Sequence, residues 1–142
     1  MARFLALDYG EKRIGVALSD PLGIFAQAHP YILNGDTILM EIQRIIAAFS
    51  VDQIVLGLPK NCAGKEGRKA EELRLFAEMI KGACSCPIVF VDERFSTAAA
   101  NKFLLAENVS RKGRKEKVDS LAAQFFLQGY LDSRSNSQDK TV

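Results

Sequence analysis

Three acidic places in this chain could be brought together by separate elements: Asp8, the pair Asp92-Glu93, and Asp119. Asp8 closes the apolar stretch Phe4-Leu5-Ala6-Leu7, and Asp92-Glu93 close Ile88-Val89-Phe90-Val91, so both read as strand ends. Asp119 lies early in a helical pattern, where Val118, Leu121, Ala122, Phe125 and Phe126 define a buried stripe that Asp119 borders. Ala122 and Ala123 are small, which lets that side of the helix lie close to a sheet. Each acid also has a plain structural reading. A strand-end carboxylate can cap the next turn, Asp92 or Glu93 can pair with Arg94, and Asp119 can pair with Lys115 or Lys117. A carboxylate beside a buried stripe needs a partner, because burying an unpaired charge is costly. Taken together, three such acids suit Mg²⁺ or Mn²⁺, which take oxygen ligands. Two such ions about 4 Å apart can activate a water and stabilise the leaving oxygen of a phosphodiester.

Composition narrows the chemistry further. The single histidine, His29, leaves poor material for a Ser-His-Asp triad or a zinc site, and Cys62, Cys84 and Cys86 form no C-x-x-C pair. Catalysis therefore falls to carboxylates, hydroxyls or a carboxylate-bound metal. The 142 residues, 48% of them apolar, are enough for one domain with a sizeable core. The longest apolar run, Ile45 to Phe49, is far short of the roughly 20 residues needed to cross a bilayer. The N-terminal stretch reaches Asp8 too soon for a signal peptide, so a soluble cytoplasmic protein with no membrane partner is expected.

The elements that must position the acids follow from periodicity. Residues 3–8 and 13–19 read as strands joined by Tyr9-Gly10-Glu11-Lys12, and residues 24–32 as a third strand interrupted by Pro30. Ile38, Leu39, Ile42, Ile45, Ile46 and Phe49 mark a helix with Asp36 as candidate N-cap. Gln53 to Leu58 is a buried strand, and 60–67 a polar loop. Ala70, Leu73, Phe76, Ala77 and Ile80 mark a helix ending near Gly82. Pro87 to Asp92 reads as another buried strand, and a third helix runs from Ser96 or Thr97 to about Glu107. Residues 108–114 read as a loop, followed by a last helix from Lys115 to about Leu131. This order predicts an α/β fold, a mixed sheet with helices on both faces, whose ligands gather beyond the strand C-termini. The expected organisation is a domain over 1–132 and a flexible polar tail over 133–142.

The residues also carry a resemblance. Leu5-Ala6-Leu7-Asp8-Tyr9-Gly10-Glu11-Lys12-Arg13-Ile14-Gly15-Val16-Ala17, followed by Ser19-Asp20, resembles the first motif of the YqgF/RuvX family of ribonuclease H-like nucleases. Gly57-Leu58-Pro59-Lys60-Asn61 with Gly64 and Gly67 resembles the second, and Val91-Asp92-Glu93-Arg94-Phe95-Ser96-Thr97 the third. Lys117-Val118-Asp119-Ser120-Leu121-Ala122-Ala123 resembles the last, so the likeness covers roughly residues 3–131 in order. It implies a three-layer fold with a five-stranded mixed sheet and metal-dependent nuclease activity. Its catalytic and metal-binding acids would be Asp8, Glu93 and Asp119; Glu93 is preferred to Asp92 by the resemblance only. The second motif departs from the pattern, with Cys62-Ala63-Gly64 where Met-Asp-Gly is usual, so that loop is not expected to supply a carboxylate.

Positive charge is concentrated beside Asp119. Arg111, Lys112, Arg114, Lys115 and Lys117 stand against one acid, Glu116: a local +4 within a chain of net charge +2, which leaves the remainder at −2. Gly113 suggests that this run is a mobile loop that orders on substrate. Lys12, Arg13, Lys60, Asn61 and Arg94 are further candidate nucleic-acid contacts, with an ordinary solvated surface or local salt bridges as the alternative. Tyr9 and Phe95 could stack on bases, but packing is the expected role; His29 is expected to be structural. The resemblance implies either trimming of the 5′ end of pre-16S ribosomal RNA or resolution of Holliday junctions. Resolution calls for a two-fold dimer. No exposed dimer helix is evident, so RNA processing by a monomer or weak homodimer is preferred. A catalytically silent nucleic-acid or transcription-complex binding module would tolerate loss of an acid, and all three are kept. A sugar kinase or actin-like ATPase would need a second domain.

Overall fold

In a computed structural model, residues 2–58, 68–92 and 111–140 are described, with side chains for 69–92 and 120–134 in the later two segments. Among these, β1 (Phe4–Asp8), β2 (Arg13–Ser19), β3 (Ala26–Leu33), β4 (Gln53–Leu58) and β5 (Ile88–Asp92) form one sheet in the order β3-β2-β1-β4-β5. The first three strands are antiparallel neighbours, whereas β4 pairs parallel to β1 and β5 parallel to β4. Helices α1 (Ile38–Phe49) and α2 (Arg68–Ala83) cover one face, and α3 (Arg111–Lys140) covers the other. The expected mixed sheet between two helical layers is therefore observed.

Alternation along β1 sorts its side chains between two cores. Leu5 and Leu7 pack with Ile14, Ile42, Leu56, Leu73 and Ile80 on the α1/α2 side. Phe4 and Ala6 pack with Ala17, Val55, Ala123, Phe126 and Leu127 on the α3 side. A central strand buried on both faces needs an unbroken apolar run, which Phe4-Leu5-Ala6-Leu7 supplies. Each large aliphatic side chain so buried contributes about 1.5–3 kcal/mol.

Several boundaries differ from those expected. Thr37, not Asp36, is the N-cap of α1, without a side-chain cap bond; its Ile38 N–H is taken by the Gly35 carbonyl at 3.2 Å. The chain leaves α1 through Ser50 in the left-handed region at φ 52°. Pro30 does not interrupt β3. The β2–β3 register slips between Ile14 and Val16 instead, so the irregularity is absorbed as a bulge on a strand at the sheet edge, where proline is tolerated. β5 is also at the edge and only half-buried, with Phe90 exposed, because no further strand pairs on its outer side among the described residues.

The last helix begins at Arg111, so residues 111–114 are helical rather than loop. Arginine and lysine are good helix formers, and one glycine costs only about 1 kcal/mol within a long helix. The helix also passes Leu131 and continues to Lys140, through residues whose polarity suggests a flexible tail; neither proline nor glycine interrupts 131–140. The expected helix over 96–107 and the loop over 60–67 lie outside the described residues.

Candidate active site

Asp8 is the last residue of β1, and the alternation that places Phe4 and Ala6 on the α3 face places Asp8 there too. Its neighbours across the sheet have no side chains. On β2 it pairs with Gly15, and on β4 the register that pairs Leu7 with Leu56 brings Gly57 level with it. The row Gly15-Asp8-Gly57 thus sets a half-buried carboxylate between two buried glycines, and glycine within a strand often marks a close approach by a ligand or another backbone. Beyond Gly57 the same row reaches Val91, which packs on the α3 side.

The pleat also assigns Asp92 to a face. Val91 shares a face with Asp8, so Asp92 points to the opposite face, and it is exposed. Glu93 and Arg94 follow directly on the chain and lie outside the described residues, as do Lys60 and Asn61 just past the end of β4.

The turn after Asp8 is held from two directions. Asn34 Nδ2 donates to the Gly10 carbonyl and Asn34 N–H to the Lys12 carbonyl, both at 2.9 Å. A Cβ at Gly10 would collide with the Arg13 carbonyl, so this turn requires glycine. Tyr9 packs on Phe76 at 4.9 Å between ring centroids, on the face opposite Asp8, which bears out packing as its role. Lys12 is exposed. Arg13 holds its guanidinium 5.2 Å from the centre of the Tyr31 ring, a cation–π contact in place of a salt bridge to Asp20. Asp20 instead accepts the N–H groups of Ile24 at 2.7 Å and Phe25 at 2.8 Å. The Phe25 N–H is the main cause holding its carboxyl below the ordinary aspartate value.

Helix α3 runs antiparallel to β1. Ser120 meets Val16, which pairs with Leu7 just below Asp8, whereas Tyr130 packs edge-on against Phe4 at the other end. Asp119 therefore stands on the backbone one residue from a contact at the level of Leu7, the residue before Asp8. The preceding turns, which carry Arg111, Lys112, Arg114 and Lys115, extend past the C-terminal edge of the sheet by about 1.5 Å per residue. The side chains of 111–119 are outside the described set.

His29 lies elsewhere, against the Phe49 ring at 5.3 Å. Burial, then the nearby Arg3 charge, pulls its pKa below the ordinary histidine value. Cys84 and Cys86 pack beside the α1/α2 core, with burial raising both thiols. Among the described residues, no group of three or more His, Cys, Asp or Glu comes together, and two of the three expected acids have side chains beyond that set. Among the described residues, the side chains that end β1 and β5, Asp8 and Asp92, are carboxylates, a donor type that suits Mg²⁺ or Mn²⁺. Sequence reasoning alone does not single out the two glycines that flank Asp8, although Gly15 and Gly57 are both visible inside strand-like runs.

A family model described as "RuvX: Holliday junction resolvase" matches residues 2–133. The chain belongs to the RuvX family. A relative from Sulfurihydrogenibium sp. (strain YO3AOP1), named "Putative pre-16S rRNA nuclease", is 43% identical, with 99% of this chain and 97% of the relative covered. A relative of the same name from Bacillus subtilis (strain 168) is 44% identical over 92% of this chain and 98% of its own. T. thermophilus RuvC, solved in complex with a Holliday junction substrate, superposes with a TM-score of 0.53 at 12% identity, covering 95% of this chain and 96% of that one. The Fowlpox virus Holliday junction resolvase gives 0.53 at 14% identity, covering 92% and 99%. These two show the shared ribonuclease H-like fold. Among the described residues, no helix of this RuvX chain is long and apolar enough to cross a membrane.

Proposed function

We propose that this RuvX chain is a divalent-metal-dependent nuclease that hydrolyses phosphodiester bonds at the C-terminal edge of its sheet, in 5′-end processing of pre-16S ribosomal RNA in the cytoplasm. The observation that carries the reading is the row Gly15-Asp8-Gly57, which flanks a half-buried carboxylate with residues that have no side chain, on the face that α3 packs. Near-full-length relatives named for pre-16S rRNA support the choice of substrate. Asp8, Glu93 and Asp119 would hold one or two Mg²⁺ or Mn²⁺ ions. Asp92 is turned to the opposite face, a physical argument for its neighbour Glu93. When bound, the cations supply Lewis-acid activation of the attacking water and offset the charge that builds on the phosphodiester. The three carboxylates would hold those cations in place, while Gly15 and Gly57 put no side chain beside Asp8.

Arg111, Lys112, Arg114 and Lys115, carried by a helix that projects past the acidic edge, would neutralise backbone phosphates, with Lys12, Arg13, Lys60, Asn61 and Arg94 nearby in the chain order of the site. A second reading, Holliday junction resolution, is favoured by the description of the family itself. The test offers the purified protein matched pre-16S RNA, duplex DNA and four-way junctions with Mg²⁺ or Mn²⁺. Metal-dependent cleavage of the RNA near its 5′ end supports the proposal. Paired symmetric nicks in the junction alone would move the assignment to resolution, with a two-fold dimer required. Binding without cleavage of any substrate would leave a silent binding module.

A further inference from the structure

Ser120, Gln124 and Gln128 recur at every fourth residue along α3, and all three turn their side chains to the backbone of the sheet. Val16 N–H donates to Ser120 Oγ at 3.5 Å, a long contact but a buried one. Gln124 Nε2 donates to the Ala26 carbonyl at 3.2 Å. Gln128 Oε1 accepts Ala26 N–H at 2.8 Å, while Gln128 Nε2 donates to the Ile24 carbonyl at 2.9 Å and to Asp132 Oδ1 at 3.0 Å. The helix thus carries a polar ladder beside its apolar stripe of Ala123, Phe126, Leu127 and Leu131.

The two stripes act differently. Apolar burial is non-directional and is nearly indifferent to a small slide or roll of the helix. Hydrogen bonds are not, because their strength falls steeply with distance and angle. A shift of one residue along α3 would move the backbone about 1.5 Å and roll it about 100°. The ladder resists both motions, since its rungs engage β2 at Val16 and the start of β3 at Ala26, with Ile24 just before it. Asp119 directly precedes the first rung, and Val16 is the residue after Gly15, the strand partner of Asp8.

We infer that Ser120, Gln124 and Gln128 are positioning residues: their ladder fixes where Asp119 stands relative to Asp8, and thereby sets the affinity of the acidic edge for a divalent cation. This rests on the metal reading proposed above. The test uses the full chain and the double variant Gln124→Met with Gln128→Met, which keeps the length of both side chains and removes their hydrogen bonds. The primary readout needs no activity. It is the Mg²⁺ or Mn²⁺ concentration at half-saturation, read by calorimetric titration of the folded protein. Removing groups that hold metal ligands in place typically weakens metal binding about 10–100-fold, so the midpoint should rise about ten-fold. Turnover should fall at low metal and recover at high metal, with KM for nucleic acid unchanged. Ile46→Val, packed against the core on the opposite face, lowers stability without touching the ladder and should leave the midpoint in place.

A double variant with the parental midpoint overturns the ladder while leaving the metal reading intact. So does an Ile46→Val protein whose midpoint moves as far. If the double variant does not fold, the single variant Gln124→Met, which leaves Gln128 on Ala26, gives the same comparison with a smaller rise expected. A parent that takes up no metal overturns the metal reading itself, and the inference with it.

Discussion

Replacing Asp8 by asparagine separates metal binding from folding. The side chain sits half-buried at the end of β1 between Gly15 and Gly57, and asparagine has nearly the same volume, so packing is preserved. In chelator the variant should be within about 1 kcal/mol of the parent. If Asp8, Glu93 and Asp119 gather as proposed, the variant also relieves their mutual repulsion when no cation is present. With Mg²⁺ at about 100 times its dissociation constant, a protein that binds only when folded gains about 2.7 kcal/mol. For a chain of this length, about 1 kcal/mol moves Tm by roughly 3–5 °C, so the parent should rise about 8–13 °C. The Asp8→Asn protein should rise much less and should not cleave, while its nucleic-acid affinity in chelator stays close to the parent's. Thermal melts with and without Mg²⁺, alongside cleavage of a labelled substrate, make the comparison. Equal Mg²⁺ stabilisation of the two proteins, or parental cleavage by a nuclease-free Asp8→Asn preparation, would refute the argument.

Gly57→Ala puts a methyl group level with Asp8 and should slow cleavage and weaken the Mg²⁺ response; unaltered kinetics would show that the site does not need glycine beside Asp8. Ser19→Ala removes the hydroxyl that accepts Phe4 N–H at 2.8 Å at the far end of the sheet. It should cost about 1–3 kcal/mol in urea melts while the Mg²⁺ midpoint stays put. His29 has its folded pKa below the ordinary 6.5, so the unfolded chain binds the extra proton first: its contribution is full above about pH 6.5 and declines as pH falls through the folded value. The stability slope across that window should flatten in His29→Asn. Replacing Arg111, Lys112 and Arg114 by alanine should reduce the slope of log affinity against log salt by roughly 0.7–0.9 for each phosphate left without its cation, and an unchanged slope would mark the run as merely solvated.

Five strands and the helices over 38–49 and 68–83 are legible in the sequence because each carries its period within a short window. Gln53–Leu58 is an unbroken apolar run, and Ile38 to Phe49 repeats at helical spacing. Asp8 and Asp119 are legible as candidate site residues because each interrupts or borders such a pattern. The basic run reads as a loop on the strength of Gly113, since local signals weigh one glycine heavily whereas a long helix absorbs it. The choice between Asp92 and Glu93 has no local signal at all.

What the sequence determined by itself was the alternation and periodicity that make each element, and the scarcity of histidine and paired cysteine that confines the chemistry to oxygen donors. The tertiary structure alone decided which neighbours those elements meet. Gly15 and Gly57 are 42 positions apart, yet parallel and antiparallel pairing places them on either side of Asp8. Likewise Ser120, Gln124 and Gln128 read as an ordinary polar stripe until their partners on and beside β2 and β3 are seen. Registers between strands and the seat of a helix are set by contacts between residues far apart in the chain, and no short stretch of sequence contains both partners.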